Sequence, residues 1–490
     1  MGLCPQAESF PIESIEQGLY YHPPQQRSIR PGRRCHSGIP WCQSSRETSS
    51  RRTVVSNAPQ PSLVRAIGRW SLVALIVNST VGSGIFGLPS IIAGLTGPAS
   101  AVAYLVAAAG MAPVLICFAE VASRFREAGG PYLYARRAFG RFVGIEIAWL
   151  TLLARISAAA ANANLFVIYF AEFWPGAKNF AARLAILALL LGLLAAANFF
   201  GVSAGTHLSN FFSVAKLLPL VVFIGAGLFF ARFSNLSLHS TAGSREWLDA
   251  VLLLVYAYGG FEGALIPMSE ARNPQRDAPF ALLTALALTA VLYTLVQVVV
   301  SGVLPDAQQT DRPLAATAQM FLGQGGAVLI AAGALLSVYG LLGSMMLYVP
   351  RLPYALAEQG DFPAFFGAVH VKYRTPHVSI LIFAFLVWAL AAAGSFRWNV
   401  TLSAVARLFT YGSTCAALVA LRRKLPQRAA FRPPAGVVFA ALGIGFSGIL
   451  ISRMGRAEVK IIFFTMAVAL INWVWVRTRR LSRSAAGENP

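Results

Sequence analysis

Twelve stretches of this chain are apolar for long enough to leave water, at approximately 71–95, 99–123, 143–171, 182–200, 210–231, 247–268, 280–304, 326–349, 377–394, 399–421, 434–452 and 460–477. A helix needs about 20 mainly apolar residues to cross the hydrocarbon core of a bilayer. Backbone groups have no partner in lipid, and the runs lack the two-residue alternation of a membrane barrel, so they predict helices. The expectation is an all-α polytopic membrane protein with twelve transmembrane helices. Composition excludes the water-soluble alternative: only 12% of the 490 residues are charged, about half the share of a soluble domain.

The net charge of +21 suggests nucleic acid in a soluble protein. Here the basic residues lie in short loops between apolar runs, where they set topology, and no nucleic-acid partner is expected. With the N-terminus inside, nineteen Lys and Arg fall on the inward side and nine in the outward loops. This bias places both termini in the cytoplasm of a multi-pass protein of the cell membrane (plasma or inner). Residues 1–68, rich in Arg, Ser, Pro and Gln, predict a disordered basic cytoplasmic tail without the apolar core of a signal peptide; an arm on anionic lipid is the functional alternative. Residues 478–490 form a short cytoplasmic tail.

The cysteines (Cys4, Cys35, Cys42, Cys117, Cys415) make no Cys-x-x-Cys pair, and the six histidines are scattered through the tail, loops and segment ends. No metal site, cofactor or disulfide framework is expected. An integral-membrane enzyme needs catalytic groups clustered at one interface, and a channel needs a repeated polar ring; neither pattern is present. There is no phosphate-cradling motif for ATP, and no outward-loop cysteine indicates an ancillary subunit.

Two runs are interrupted. The first contains Val81-Gly82-Ser83-Gly84-Ile85-Phe86-Gly87 and then Pro89; the sixth contains Tyr258-Gly259-Gly260-Phe261-Glu262-Gly263. Each glycine costs a helix about 1 kcal/mol relative to Ala. Close helix packing through small residues is one explanation. Position favours another: these are the first members of two five-helix halves, residues 69–231 and 247–421, with 434–477 supplying two more helices. Paired interruptions point to a binding site between inverted repeats. A half-helix starting near Ser83, Gly84 and Ile85 aims N–H groups and its positive end at the cavity, which suits a carboxylate. Half-helices ending near Thr80 and Gly259, with Gly82 and Gly260 beyond them, expose carbonyls that suit an ammonium. An α-amino acid carries both groups.

These motifs resemble the amino acid–polyamine–organocation (APC) transporter superfamily from about Arg69 onward. Gly82-Ser83-Gly84-Ile85-Phe86 comes first. Ala119-Glu120, Ser123-Arg124-Phe125 and Ala128-Gly129-Gly130-Pro131-Tyr132 to Arg137-Ala138-Phe139-Gly140 follow. Then come Tyr258-Gly259-Gly260-Phe261-Glu262 with Glu270-Ala271-Arg272-Asn273-Pro274, and Pro350-Arg351 with Tyr354-Ala355-Leu356-Ala357 leading to His370, Tyr373 and Thr375-Pro376. The resemblance implies a leucine-transporter-like fold of five plus five inverted helices with two more at the end. It also implies a secondary active amino acid permease working by alternating access without sodium. Proton symport and amino-acid exchange both stay open, as does a polyamine or organic-amine substrate. Asn78-Ser79-Thr80-Val81 is more polar than the family's usual small, apolar run.

Several polar residues inside the spans are candidates for coupling or binding. Lys216 sits about six residues into the fifth span, where an ammonium needs a partner or must snorkel. The resemblance implies that it stands in for a sodium ion and hydrogen-bonds the broken first helix. A lysine that releases its proton there couples transport to protons; one that keeps it suits exchange. Glu262 is a half-helix cap or a gate. Tyr256 matches an aromatic that closes over substrate in the family, with a packing ring as the alternative. Asn162 and Asn164 either line the pocket or tie helices together. Arg155, a possible pocket residue, and Arg407 are deep enough to need partners. With Lys216 they set three cations against Glu262, which leans toward neutral or acidic amino acids unless structural ion pairs absorb the charge.

Overall fold

The computed structural model describes residues 68–125, 130–201, 206–237, 242–265, 272–304, 306–425 and 429–485. The expected N-terminal tail to residue 67, the last residues 486–490, and the Ala128-Gly129 and Glu270-Ala271 parts of the motifs lie outside them. The described chain is helical, with no strand among the described residues. In the first part the helices are α1 (Arg69–Thr80), α2 (Ser83–Thr96), α3 (Ser100–Ala122), α4 (Gly130–Phe139), α5 (Arg141–Phe170), α6 (Phe180–Phe199) and α7 (Thr206–Phe230). The second part holds α8 (Ser244–Tyr258), α9 (Phe261–Ala264), α10 (Pro274–Val303), α11 (Pro313–Tyr348), α12 (Arg351–Glu358), α13 (His377–Ala393) and α14 (Phe396–Lys424). The chain continues through α15 (Gly436–Ile451) and α16 (Arg456–Ala485).

Seven helical stretches among the described residues are long and apolar enough to cross a bilayer, and three more, Lys216–Phe230, His377–Ala393 and Gly436–Ile451, are apolar but shorter. Local chemistry explains several boundaries. Pro274 and Pro313 open α10 and α11, where a missing N–H has no cost. The Ser395 side chain caps α14 by accepting from the Trp398 amide at 3.2 Å. The eighth apolar run was expected to begin near 326, but α11 begins at Pro313 and kinks at Gly323, whose φ of +66° leaves the helical region. The polar Gly323-Gln324 step hides the first part of that helix from a hydropathy reading.

At the centre is α5, buried along most of its length, with the consecutive alanines Ala158 to Ala161 letting neighbouring backbones approach. It is flanked by α14, α4, α11, α13 and α16. Large apolar side chains such as Leu189, Phe229, Phe385, Phe463 and Ile471 point outward and are more than half exposed. That pattern is stable against lipid and unsupportable in water.

Two buried carboxylates bind the helix ends. Asp361, just after α12, is fully buried and pairs with Arg136 at 2.8 Å and with Arg141, while Tyr132 donates to it. The Asp361 carbonyl accepts from Asn472 Nδ2 at 2.8 Å, which adds α16 to the group. Glu120 on α3 accepts from Arg124 at 2.9 Å and, through both oxygens, from Arg422 on α14 at 2.8 and 2.7 Å. Buried carboxylates keep their charge only with such partners.

Candidate functional site

The interruptions are short. Between α1 and α2 only Val81 (φ −72°, ψ 97°) and Gly82 (φ −131°, ψ −142°) leave the helix; between α8 and α9 only Gly259 and Gly260 do. Gly260 has φ +106°, and a Cβ on it would stand 2.5 Å from Ser79 O. The two breaks therefore touch backbone to backbone at a place where only glycine fits. The second half-helix starts at Ser83, so residues 83–87 are helical. Gly84 lies against Ala257, and Gly87 against Phe396 and Leu165, so these two glycines serve close packing.

A helix that stops in the membrane leaves its last carbonyls without partners. Val77 O still accepts from the Val81 amide at 2.8 Å. Beyond it, the Lys216 ammonium donates to Asn78 O and Val81 O, both at 2.6 Å. The Tyr293 hydroxyl on α10 lies 3.0 Å from Thr80 O and 3.1 Å from Ala257 O, reaching both broken helices. These carbonyls were expected to receive a ligand's ammonium. In this conformation an internal amine holds Asn78 O and Val81 O, and a phenol reaches Thr80 O and Ala257 O. The Thr80 hydroxyl is also committed, donating to Ile76 O at 2.8 Å.

At the start of α2, Asn162 Oδ1 accepts from the Ser83 amide at 3.3 Å. Asn162 Nδ2 donates to Ala158 O at 2.7 Å and to Tyr256 OH at 3.2 Å. Tyr256 OH and Ser83 Oγ share a hydrogen bond 2.6 Å long that either hydroxyl can donate. Asn162, Tyr256 and Ser83 thus close a ring over the first turn of α2, where Gly84 and Ile85 are also buried. An amide oxygen thus satisfies the N–H at the start of this helix.

Below the second break, Glu262 Oε2 accepts from the Gly260 amide at 2.9 Å, and Oε1 pairs with Arg407 on α14. Tyr411 OH lies 3.4 Å from Oε2. Arg407 Nε donates to Ser403 Oγ at 3.3 Å, and a Cβ on Gly259 would collide with the guanidinium. This ion pair absorbs one of the three cations and leaves Lys216 and Arg155 without a carboxylate at ion-pairing distance among the described residues. Asn164 is not gathered with the others: it bonds Arg183 at 2.9 Å and Gly394 O at 3.3 Å, tying α5 to α6 and to the end of α13. Arg155 stacks over Tyr348 with its guanidinium 5.1 Å from the ring centre.

Tyr293 and Tyr411 were missed. Each interrupts an apolar run with a phenol that needs a buried partner, a weak signal but a readable one. Among the described residues no group of three or more His, Cys, Asp or Glu is arranged to hold a metal ion.

The family model for the amino acid permease matches residues 67–476. The methylthioribose transporter of Bacillus subtilis (strain 168) is 26% identical over 405 residues, covering 78% of this chain and 87% of the relative. A branched-chain amino acid permease of the same organism is 25% identical over 456 residues, covering 87% and 96%. Cationic amino acid transporter 4 of Mus musculus is 29% identical over 387 residues, covering 74% of this chain and 60% of the relative.

Proposed function

The chain belongs to the amino acid permease family, and on that premise we propose a secondary active, sodium-independent transporter of amino acids whose substrate lies between the two helix breaks. Family membership makes it a transporter and not an enzyme. The observation that carries the rest is the contact of Gly260 with Ser79 O, with Lys216 seated on the Asn78 and Val81 carbonyls beside it. A fixed ammonium on those two oxygens fills the place a metal cation would need, which supports independence from sodium.

In this reading the chain crosses the cell membrane twelve times, with both termini in the cytoplasm. Residues 69–231 and 247–421 are inverted halves, 434–477 adds two helices, and the termini form cytoplasmic tails. The substrate carboxylate takes the Ser83 amide from Asn162 and uses the Gly84 and Ile85 amides of the same turn. Tyr256 covers it, and its ammonium meets the Gly82, Gly259 and Gly260 backbone beside Thr80. Lys216 and Glu262 couple occupancy to closure, through release of a proton or through exchange of one amino acid for another. The relatives' names span branched-chain and cationic amino acids, so the side chain is read by the pocket walls.

Flux into proteoliposomes tests this, using leucine, arginine, glutamate and putrescine, with and without sodium, at two pH values, and with empty or amino-acid-loaded vesicles. Saturable amino-acid uptake indifferent to sodium supports the reading. Uptake of putrescine alone transfers the site to amines, and strict sodium dependence overturns the role given to Lys216.

A further inference from the structure

A cavity of about 760 Å³ opens between α4 and α12 and runs inward along α5. Its lining carries Arg136, Arg137, Arg141, Arg155 and Arg351 and no carboxylate. Arg136 and Arg141 are engaged by Asp361. Arg155 is different. It is only 4% exposed, has no carboxylate at ion-pairing distance among the described residues, and its Nε has no hydrogen-bond partner. It follows Arg141 by 14 residues on α5, which places it about 21 Å deeper at 1.5 Å per residue. A Cβ on Gly263 would come within 3.4 Å of its Nη1, so it stands directly against α9.

Glu262, already paired with Arg407, acts on Arg155 only from beyond ion-pairing distance, and a guanidinium this deep without an ion-pair partner of its own is expensive and persists where water or an anion reaches it. Depth decides which anion. Lipid phosphates stay at the interface, about 15 Å from the midplane of a 30 Å core. A solute carboxylate can travel the length of the cavity and meet the planar fork of an arginine in the two-pronged geometry that suits it.

We propose that this cavity is a second, carboxylate-receiving subsite, in which Arg155 holds the carboxylate of a solute passing between the α4–α12 face and the helix breaks. It rests on the transport reading above and extends it by assigning a station on the route. Arg351, exposed at the first turn of α12, attracts the anion at the rim; Arg155 receives it at the floor. The Tyr348 ring supports the guanidinium from one side, 5.1 Å from its centre.

The test uses the full chain purified in detergent and titrated with glutarate, a dicarboxylate lacking an amino group, with melting temperature as the readout. Glutarate is expected to stabilise the unsubstituted chain and 1,5-diaminopentane is not. In Arg155→Gln the half-saturating glutarate concentration rises about tenfold, as expected for losing one charge-assisted contact. The rim variant Arg351→Gln, which leaves the interior intact, raises it about twofold. No stabilisation of the unsubstituted chain, or an unchanged titration in both variants, overturns the proposal. Amino-acid flux measured in parallel separates the two readings: flux without a glutarate effect removes this subsite alone, whereas an Arg155-dependent glutarate effect without flux leaves an anion site and removes the transport reading.

Discussion

Lys216 Nζ lies 2.6 Å from Val81 O and donates to the carbonyl at which the first membrane helix stops. A second bond of equal length reaches Asn78 O. Hydrogen bonds from a charged donor contribute about 1.5–3 kcal/mol each, enough to decide whether the break keeps its shape. Lys216→Ala is expected to reduce uptake to background while the protein still inserts and purifies. Flux equal to the unsubstituted chain in proteoliposomes would reject the role of this lysine.

The contact between the breaks predicts a second sensitivity. Gly260 combines a φ of +106° with a Cβ position 2.5 Å from Ser79 O. Gly260→Ala should lower stability by about 2–3 kcal/mol, from left-handed strain plus displacement of α1. Gly192→Ala, where a Cβ meets nothing within 4 Å, serves as the control. Equal melting temperatures for the two variants would contradict the close approach.

The Glu262–Arg407 pair is buried on both sides. Glu262→Gln leaves a guanidinium without its counter-charge, and removing one partner of such a pair typically costs about 3–5 kcal/mol. The double variant Glu262→Gln with Arg407→Met should recover much of that loss, because it removes both charges. A thermal-melt cycle over the two positions reads the coupling, and additivity would mean the groups act independently.

Asn162 competes with a carboxylate for the Ser83 amide. Asn162→Ala is therefore expected to lower the KM for amino acid about threefold, the amide being freed, and to slow turnover because the emptied site no longer closes on itself. A raised KM would show that Asn162 binds substrate directly.

Asp361 answers to Arg136, Arg141 and Tyr132 at once. Because the two arginines are partly open to solvent, water takes up some of the loss, and Asp361→Ala should destabilise by about 2 kcal/mol. Loosening of the α4 end, read as faster hydrogen exchange over residues 130–139, checks it.

How much of this was legible follows from how far apart the partners lie. The apolar runs and their helical nature are local properties, and glycine pairs mark the breaks because helix cost is local too. The separate work of each glycine was not legible, since Gly84 and Gly87 look in sequence like Gly82 but face Ala257 and Phe396 across the bundle. Lys216 could be recognised as needing partners. The family resemblance pointed it to the broken first helix, where it bonds Asn78 O and Val81 O; that Arg407 answers Glu262 145 positions away is a fact of packing that no spacing encodes. The fully buried Asp361 sits in a polar loop segment and gave no sign of its importance. Asn164, two residues from Asn162, went to a different neighbour because two residues along a helix turn a side chain by about 200°.

Tyr293 has a single proton and faces two carbonyls, Thr80 O at 3.0 Å and Ala257 O at 3.1 Å, that belong to different discontinuous helices. Were either half-helix to tilt alone, the phenol would keep one oxygen and lose the other, which would then need water or a solute. The geometry is that of a differential between two levers: it would tolerate both tilting together and penalise one tilting alone, unless something entered to complete the abandoned side.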